Sequence, residues 1–217
     1  HNQSRRQRQM CIRDRYLTVM PPRLQELIAG MARRAQTISS KDAGFIITKL
    51  GIGPGDTVLE AGLGSGGLSL HLAKVLGNSG HLVTAEPRVE HASVGLLNLN
   101  RASKCFDEFP SHTHLEGFLE EVIPDLEFDS IVLDMPSHKA AIEACTPRMK
   151  FGARLACYAP TTAQLETCWK TCESAGLTVE WAGELMERQW GVTSKGGMRP
   201  VNGPFGHTAF LLFAQKR

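Results

Sequence analysis

Residues 57–67, TVLEAGLGSGG, constrain this chain more tightly than any other stretch. A short apolar run over 57–60 leads into the segment, and a helical pattern over 68–76, closed by Gly77, leaves it. Strand, glycine turn and helix in that order make an anion-binding arrangement, and Gly62, Gly64 and Gly67 satisfy G-x-G-x-x-G. Glycine removes side-chain obstruction, so the backbone amides of Leu63 to Gly67 are expected to face an anion. NAD, FAD and S-adenosylmethionine (SAM) proteins all use such a turn, so the turn alone leaves the ligand open.

From this point the pattern alternates. Strands are expected over 57–60, 81–86, near His114 and Leu115, over 130–134 and over 153–159. Helices are expected over 68–76, 90–103, 139–145 and 162–174. Such alternation predicts an α/β fold with a mostly parallel, doubly wound sheet and helices on both faces. The C-terminal region breaks it: LTVEWAGELMERQW and HTAFLLFAQKR are strand-like, joined only by the glycine- and proline-rich GVTSKGGMRPVNGPFG. Two strands without a crossover pair antiparallel. A seven-stranded sheet closed by an antiparallel C-terminal hairpin is characteristic of Rossmann-like SAM methyltransferases, not of six-parallel-strand dehydrogenases.

Upstream, residues 1–15 hold five arginines and no apolar periodicity, and are expected to be a disordered or non-native basic tail. Residues 16–50 form a linking segment with two helical patterns, the second capped by Ser40 or Asp42, and 51–217 form the main domain. A hydrophobic share of 42% and a charged share of 21% are ordinary for a globular protein. No apolar run approaches the roughly 20 residues of a membrane span. The start is not a secretory signal, and a net charge of +2 does not by itself mark a nucleic-acid binder. The six cysteines show no C-x-x-C spacing; Cys168 and Cys172 share a helix face, but two thiols do not make a zinc site. His112 and His114 read as structural. The expectation is a cytoplasmic protein with reduced cysteines, no bound metal and no membrane segment.

Two acids favour SAM at the turn. Glu60 precedes the glycines, where a carboxylate attracts an amino group and a sulfonium but repels a pyrophosphate. Glu86 ends the second strand, where it is placed to accept hydrogen bonds from ribose hydroxyls, a feature NAD enzymes share.

Four segments together resemble the tRNA adenine-N1 methyltransferases that modify adenine 58 of the T loop. They are RRAQTISSKDAG, with Gln36, Lys41 and Asp42 at matching places; VLEAGLGSGGLSLHLA; IVLDMP; and ERQW followed by GHTAFLLFA. The likeness runs from about Tyr16 to Lys216. It implies a SAM site drawn from Gln36, Glu60, Gly62, Leu63, Gly64, Ser65, Gly66, Glu86, Pro87 and Asp134. It also implies tRNA as substrate and a homo-oligomer, dimer or tetramer. The family usually carries an N-terminal β-domain, a Pro-Trp pair after the aspartate strand and a Gly-Asp pair after the third strand. Here stand a basic tail, Ser137-His138-Lys139 and Gly117-Phe118.

Adenine N1 carries a free lone pair, so its methylation needs no base. Asp134, ending the fourth strand, is the candidate catalytic residue: accepting an N6–H hydrogen bond would stabilise the adenine cation as it forms. His138 is a loop histidine within possible reach of the pocket. His207, Thr208, Arg188 and Trp190 are candidate substrate contacts, with Trp190 able to stack on a base. Arg148, Lys150, Arg154, Arg188, Lys195 and Arg199 are either a phosphate-binding surface or scattered solvated charges. Two other functions fit the same residues: a SAM methyltransferase for a protein carboxylate or small metabolite, and a catalytically silent RNA-binding subunit.

Overall fold

A computed structural model describes residues 8–12, 15–201 and 206–217. The main body begins at β3 (Thr57–Ala61) and continues through α3 (Gly67–Leu76), β4 (His81–Glu86), α4 (Val89–Ser103) and β5 (Ser111–Glu116). Next come α5 (Leu119–Val122), β6 (Phe128–Leu133), α6 (Lys139–Cys145), β7 (Met149–Ala159) and α7 (Thr162–Ser174). It closes with β8 (Leu177–Gly183), the short strands β9 (Trp190–Val192) and β10 (Met198–Pro200), and β11 (Phe210–Lys216). Ahead of it lie β1 (Arg8–Ile12), β2 (Arg15–Val19), α1 (Leu24–Ala29) and α2 (Ser40–Leu50).

Seven strands form one sheet in the order β5-β4-β3-β6-β7-β11-β8. The first five are parallel, and β11 runs antiparallel to both its neighbours. The expected reversed ending is therefore present, with β11 threaded between β7 and β8. Central strands β3, β4 and β6 are buried along almost their whole length, as parallel strands covered on both faces must be. One apolar layer joins the sheet to the face carrying α2 and α3, through Ile46, Leu70, Leu72 and Leu76. The other joins it to α6 and α7 through Phe128, Ile142, Cys168 and Leu177. A fully buried side chain of this kind contributes about 1.5–3 kcal/mol, against about 0–1 kcal/mol for a surface ion pair, so the two layers determine the fold.

Three local expectations change. Residues 8–12 are not an unstructured tail: β1 pairs antiparallel with β2, Met10 opposite Leu17 and Ile12 opposite Arg15. Backbone groups make those bonds whatever the side chains carry, so arginine content does not forbid them. Residues 1–7, the rest of the expected tail apart from 13–14, lie outside the described residues together with that pair. The cap of α2 is Ser39, whose side chain accepts from the Asp42 amide at 3.3 Å, in place of Ser40 or Asp42. And the strand-like run expected to reach Trp190 stops at Gly183, because its partner β11 has no residue beyond Leu211 paired with it. Trp190 instead begins a separate ribbon, β9 against β10, inside the glycine-rich connection.

An aromatic trio ties the linking segment to this closing end. Phe45 on α2 meets Trp181 on β8 edge-on at 5.2 Å and Phe213 on β11 at 5.7 Å. Among the described residues no helix is long and apolar enough to cross a membrane.

Candidate active site

The chain leaves β3 toward β4 on one side and reaches β6 on the other, so β3 and β6 flank the point where strand order reverses. Ligands of open α/β sheets bind outside the strand carboxyl ends at such a point. A cavity of about 400 Å³ lies there, lined by Ala61, Ala85, and residues 86–88, 117–120 and 134–137. A larger cavity, about 680 Å³, lies beside α1 against Lys74 and Phe106, away from the strand carboxyl ends; residues 62–67 of the glycine turn line neither cavity.

The turn is held rigidly by its own chain. Gly62 donates to the Asp134 carbonyl at 2.9 Å, Leu63 to Ala85 at 3.0 Å and Gly66 to Leu63 at 2.8 Å. The Gly64 amide donates to Glu86 Oε2 at 2.9 Å. The expected row of amides facing an anion is thus largely bonded internally, because the turn must satisfy its own buried groups. A Cβ on Gly62 would sit 3.1 Å from Glu86 Oε2, so the turn and the acid are fitted to each other. Ser65, 1% exposed, accepts at its hydroxyl from the amides of Arg34 and Ala35 at 3.0 and 2.9 Å. Its side chain therefore faces the linking segment, not the cleft. Ala35 and Thr37 lie against Gly64 and Gly67, and place the exposed Gln36 between them at the edge of the turn.

Sequence reasoning missed two residues that brace this turn. A Cβ on Gly95 would come 2.6 Å from Leu63, so α4 reaches the turn only through glycine. Asn98 donates to the carbonyls of Ala32 and Ser65 and accepts from the Ala32 amide. A glycine in mid-helix was the one available signal.

The three acids part company. Glu60 does not line the cleft: strand alternation turns it toward α3, where Oε2 accepts from Ser69 at 2.5 Å. Burial raises its pKa to about 8, the Ser69 bond only partly opposing, which favours the protonated carboxyl. Glu86 does line the cleft. Burial pushes its carboxyl upward, yet the hydrogen bond from Arg88, with those from Gly64 and the Arg88 amide, holds it below the ordinary value. Arg88 grips it from both sides, Nε to Oε1 at 2.7 Å and Nη2 to Oε2 at 3.2 Å. Pro87, beside it, is an exposed part of the wall. Asp134 also lines the cleft, and among the described residues no hydrogen bond reaches its carboxylate. Burial raises its pKa to about 6, opposed by the positive fields of His138 and Arg88.

The candidate substrate residues lie apart from that wall. Thr208 accepts from Lys41 Nζ at 2.8 Å, and Lys41 pairs with the fully buried Asp42 at 2.7 Å. Lys41 of the linking segment thereby meets the stretch just ahead of the last strand, which begins at Phe210. His207 is exposed, with Nδ1 2.7 Å from Glu184 and Nε2 3.2 Å from the Pro160 carbonyl. Its pKa is raised, mainly by Glu184. Arg188 is exposed beside the ribbon, and Trp190 within it is 56% exposed. The six cations do not form one free surface: Arg148 pairs with Asp125, Lys150 with Asp129 and Arg154 with Glu180.

Behind the wall, His138 is the N-terminal cap residue of α6 and is only 3% exposed. It faces Cys168, not the cavity. His112 and His114 share the Thr84 hydroxyl, each at 3.0 Å.

A doubly wound sheet ended by one reversed strand, with a glycine turn answered by an acid on the next strand, is the construction of the Rossmann-like SAM methyltransferases, and this protein has it. Within that class, residues 15–196 match the family described as tRNA methyltransferase complex GCD14 subunit, and the chain belongs to that family. Its sequence is 32% identical over 201 residues to the tRNA (adenine(58)-N(1))-methyltransferase TrmI of Thermus thermophilus, covering 90% of this chain and 75% of that one. It is 29% identical over 219 residues to the tRNA (adenine(57)-N(1)/adenine(58)-N(1))-methyltransferase TrmI of Methanocaldococcus jannaschii, covering 91% and 77%. Its structure is similar to that of a SAM-dependent O-methyltransferase from Thermotoga maritima, with a TM-score of 0.82, 27% identity, and 96% and 77% of the two chains covered.

Proposed function

We propose that this protein methylates N1 of an adenine in tRNA, at the position 58 named for its relatives, with SAM as donor. One observation carries the reading: Asp134, a desolvated carboxylate that no hydrogen bond occupies, shares a cleft wall with the anionic Glu86 in a member of this family. A 400 Å³ cleft walled by the buried, ionised Glu86 fits a nucleoside-bearing donor. Glu86 would hold the ribose hydroxyls, which requires Arg88 to give up part of its grip. Gly62 leaves the room, and Gln36, Pro87 and the backbone of 63–66 would flank the remainder. Glu60 supports from behind, as a brace to α3.

Bound SAM supplies an electrophilic methyl group. Transfer leaves positive charge spread over N1, C6 and the exocyclic amine of adenine. Asp134, ionised above its pKa of about 6, would accept an N6–H hydrogen bond and stabilise that charge as it develops. The walls at 117–120 and 134–137 would keep the ring in line with the donor. An adenine within a folded loop must first be turned out, costing a few kcal/mol. His207, Thr208, Arg188 and Trp190 would contact the RNA around it. Assembly as a homo-oligomer belongs to the same reading.

The test is incubation of the protein with SAM and unmodified tRNA, followed by mass spectrometry of the nucleosides. A single new 1-methyladenosine is expected. The Thermotoga neighbour's name favours oxygen as the second choice of acceptor. Methylation of carboxylates or hydroxyls with tRNA untouched would establish that alternative.

A further inference from the structure

The loop after β6 has two sides. Residues 134–137 line the cleft, while His138 turns into the layer between the sheet and α7. There one of its ring nitrogens and the thiols of Cys157 on β7 and Cys168 on α7 lie within 4.8 Å of one another, all three residues buried. Cys172, one helical turn beyond Cys168, is fully buried as well. His138 Nε2 is buried with no hydrogen-bond partner. Two thiols on a helix say little, and sequence spacing does not connect them to residues 11 and 30 positions upstream. The parallel pairing of β6 with β7, Leu133 opposite Cys157, brings the histidine loop to the cysteines.

We propose that His138, Cys157 and Cys168 bind a thiophilic divalent cation, Zn²⁺ in the first place, with Cys172 completing the set by a side-chain rotation. One imidazole and three thiols are a donor set of structural zinc sites. Zinc–sulfur bonds of about 2.3 Å and zinc–nitrogen bonds of about 2.0 Å put tetrahedral donors roughly 3.6 Å apart, so the cluster needs to contract by about 1 Å. A cation bound through Nε2 would also satisfy the orphaned nitrogen. A Cys157–Cys168 disulfide would leave it orphaned, and the cysteines are unbonded. The site lies behind the cleft wall, and its consequence is mechanical: it rivets the wall at 134–137 to β7 and α7.

Cobalt(II) is the probe. The full chain, reduced and stripped with a chelator, is titrated with Co²⁺ and followed by visible and near-ultraviolet absorption. Saturation at one Co²⁺ per chain is expected, with tetrahedral ligand-field bands and a thiolate-to-cobalt charge-transfer band, all abolished by added Zn²⁺. Cys168→Ser and the milder His138→Gln, each checked for folding by circular dichroism, should lose the charge-transfer intensity or shift it. Cys145→Ser, a buried thiol outside the cluster, should not. The proposal is overturned by a folded wild type without the band, or by a band unchanged in both cluster variants. Isolation of the protein with Cys157 and Cys168 joined, found by mass spectrometry without reductant, would equally overturn it in favour of a redox pair.

Discussion

The carboxyl edge of the central sheet has two regions built on opposite terms. At the β3–β4–β6 end the groups that matter are buried and spoken for: Glu60, Ser65 and Glu86 are each 2% exposed or less, and each is bound by named donors. At the β8–β11 end His207, Arg188 and Trp190 are exposed on a loop and a small ribbon outside the sheet, with His207 held by Glu184 and the Pro160 carbonyl. The first region is complete on folding; the second offers groups that a large partner would have to order. A site made by the backbone of a turn is preorganised, and a surface of exposed side chains is not.

That contrast is easiest to break at Asp134, which belongs to the first region by position and to the second by its open carboxylate. Asp134→Ala should retain donor binding by calorimetry yet lose methyl transfer to tRNA by roughly a hundredfold or more, as other electrostatic stabilisers do. Near-normal turnover would remove it from the chemistry. In the wild type the rate with subsaturating tRNA should climb through pH 6 as Asp134 ionises.

Glu60 tests whether the first region tolerates charge at all. Its pKa, raised by burial from 4.5 to about 8, means the folded state binds a proton the unfolded chain releases. The resulting stability is full below pH 4.5 and is lost as pH rises toward 8, a change on the order of a few kcal/mol. Glu60→Gln should therefore melt at a temperature less dependent on pH across that window, and above wild type at its alkaline end. Parallel melting curves for the two proteins would show that the carboxyl is solvated.

Glu86→Ala should weaken SAM binding roughly tenfold or more, since hydrogen bonds to a charged group are worth about 1.5–3 kcal/mol and Arg88 already competes for part of them. Unaltered affinity would move the ribose away from β4. The smallest effect belongs to the ribbon: Trp190→Ala should raise the KM for tRNA about fivefold, the low end for a base stacked on an aromatic, with SAM affinity unchanged. A change in both constants would mean that the two regions are not independent.

The legibility of the chain follows the same division. The strand, glycine turn and helix of 57–76, the acid at 86 and the aspartate at 134 are local features, and each stands where its segment predicts. Alternation along β3, not proximity to the glycines, decides that the Glu60 side chain enters the face of α3. The ring of bonds from residues 32–35 and Asn98 onto the turn joins positions 30 to 66 apart, and the histidine–cysteine cluster draws on three elements. Neither leaves a mark in any one segment. The β1–β2 hairpin was obscured by composition, since charge says little about backbone pairing.

By itself the amino-acid order determined the alternating elements, the reversed last strand and the family, because periodicity, glycine placement and short motifs are properties of neighbours in the chain. Tertiary structure decided which acid is charged, which turn amides remain available and which cysteines meet His138. Those depend on desolvation and on distances between residues far apart in sequence, and both exist only once the two apolar layers have closed on the sheet.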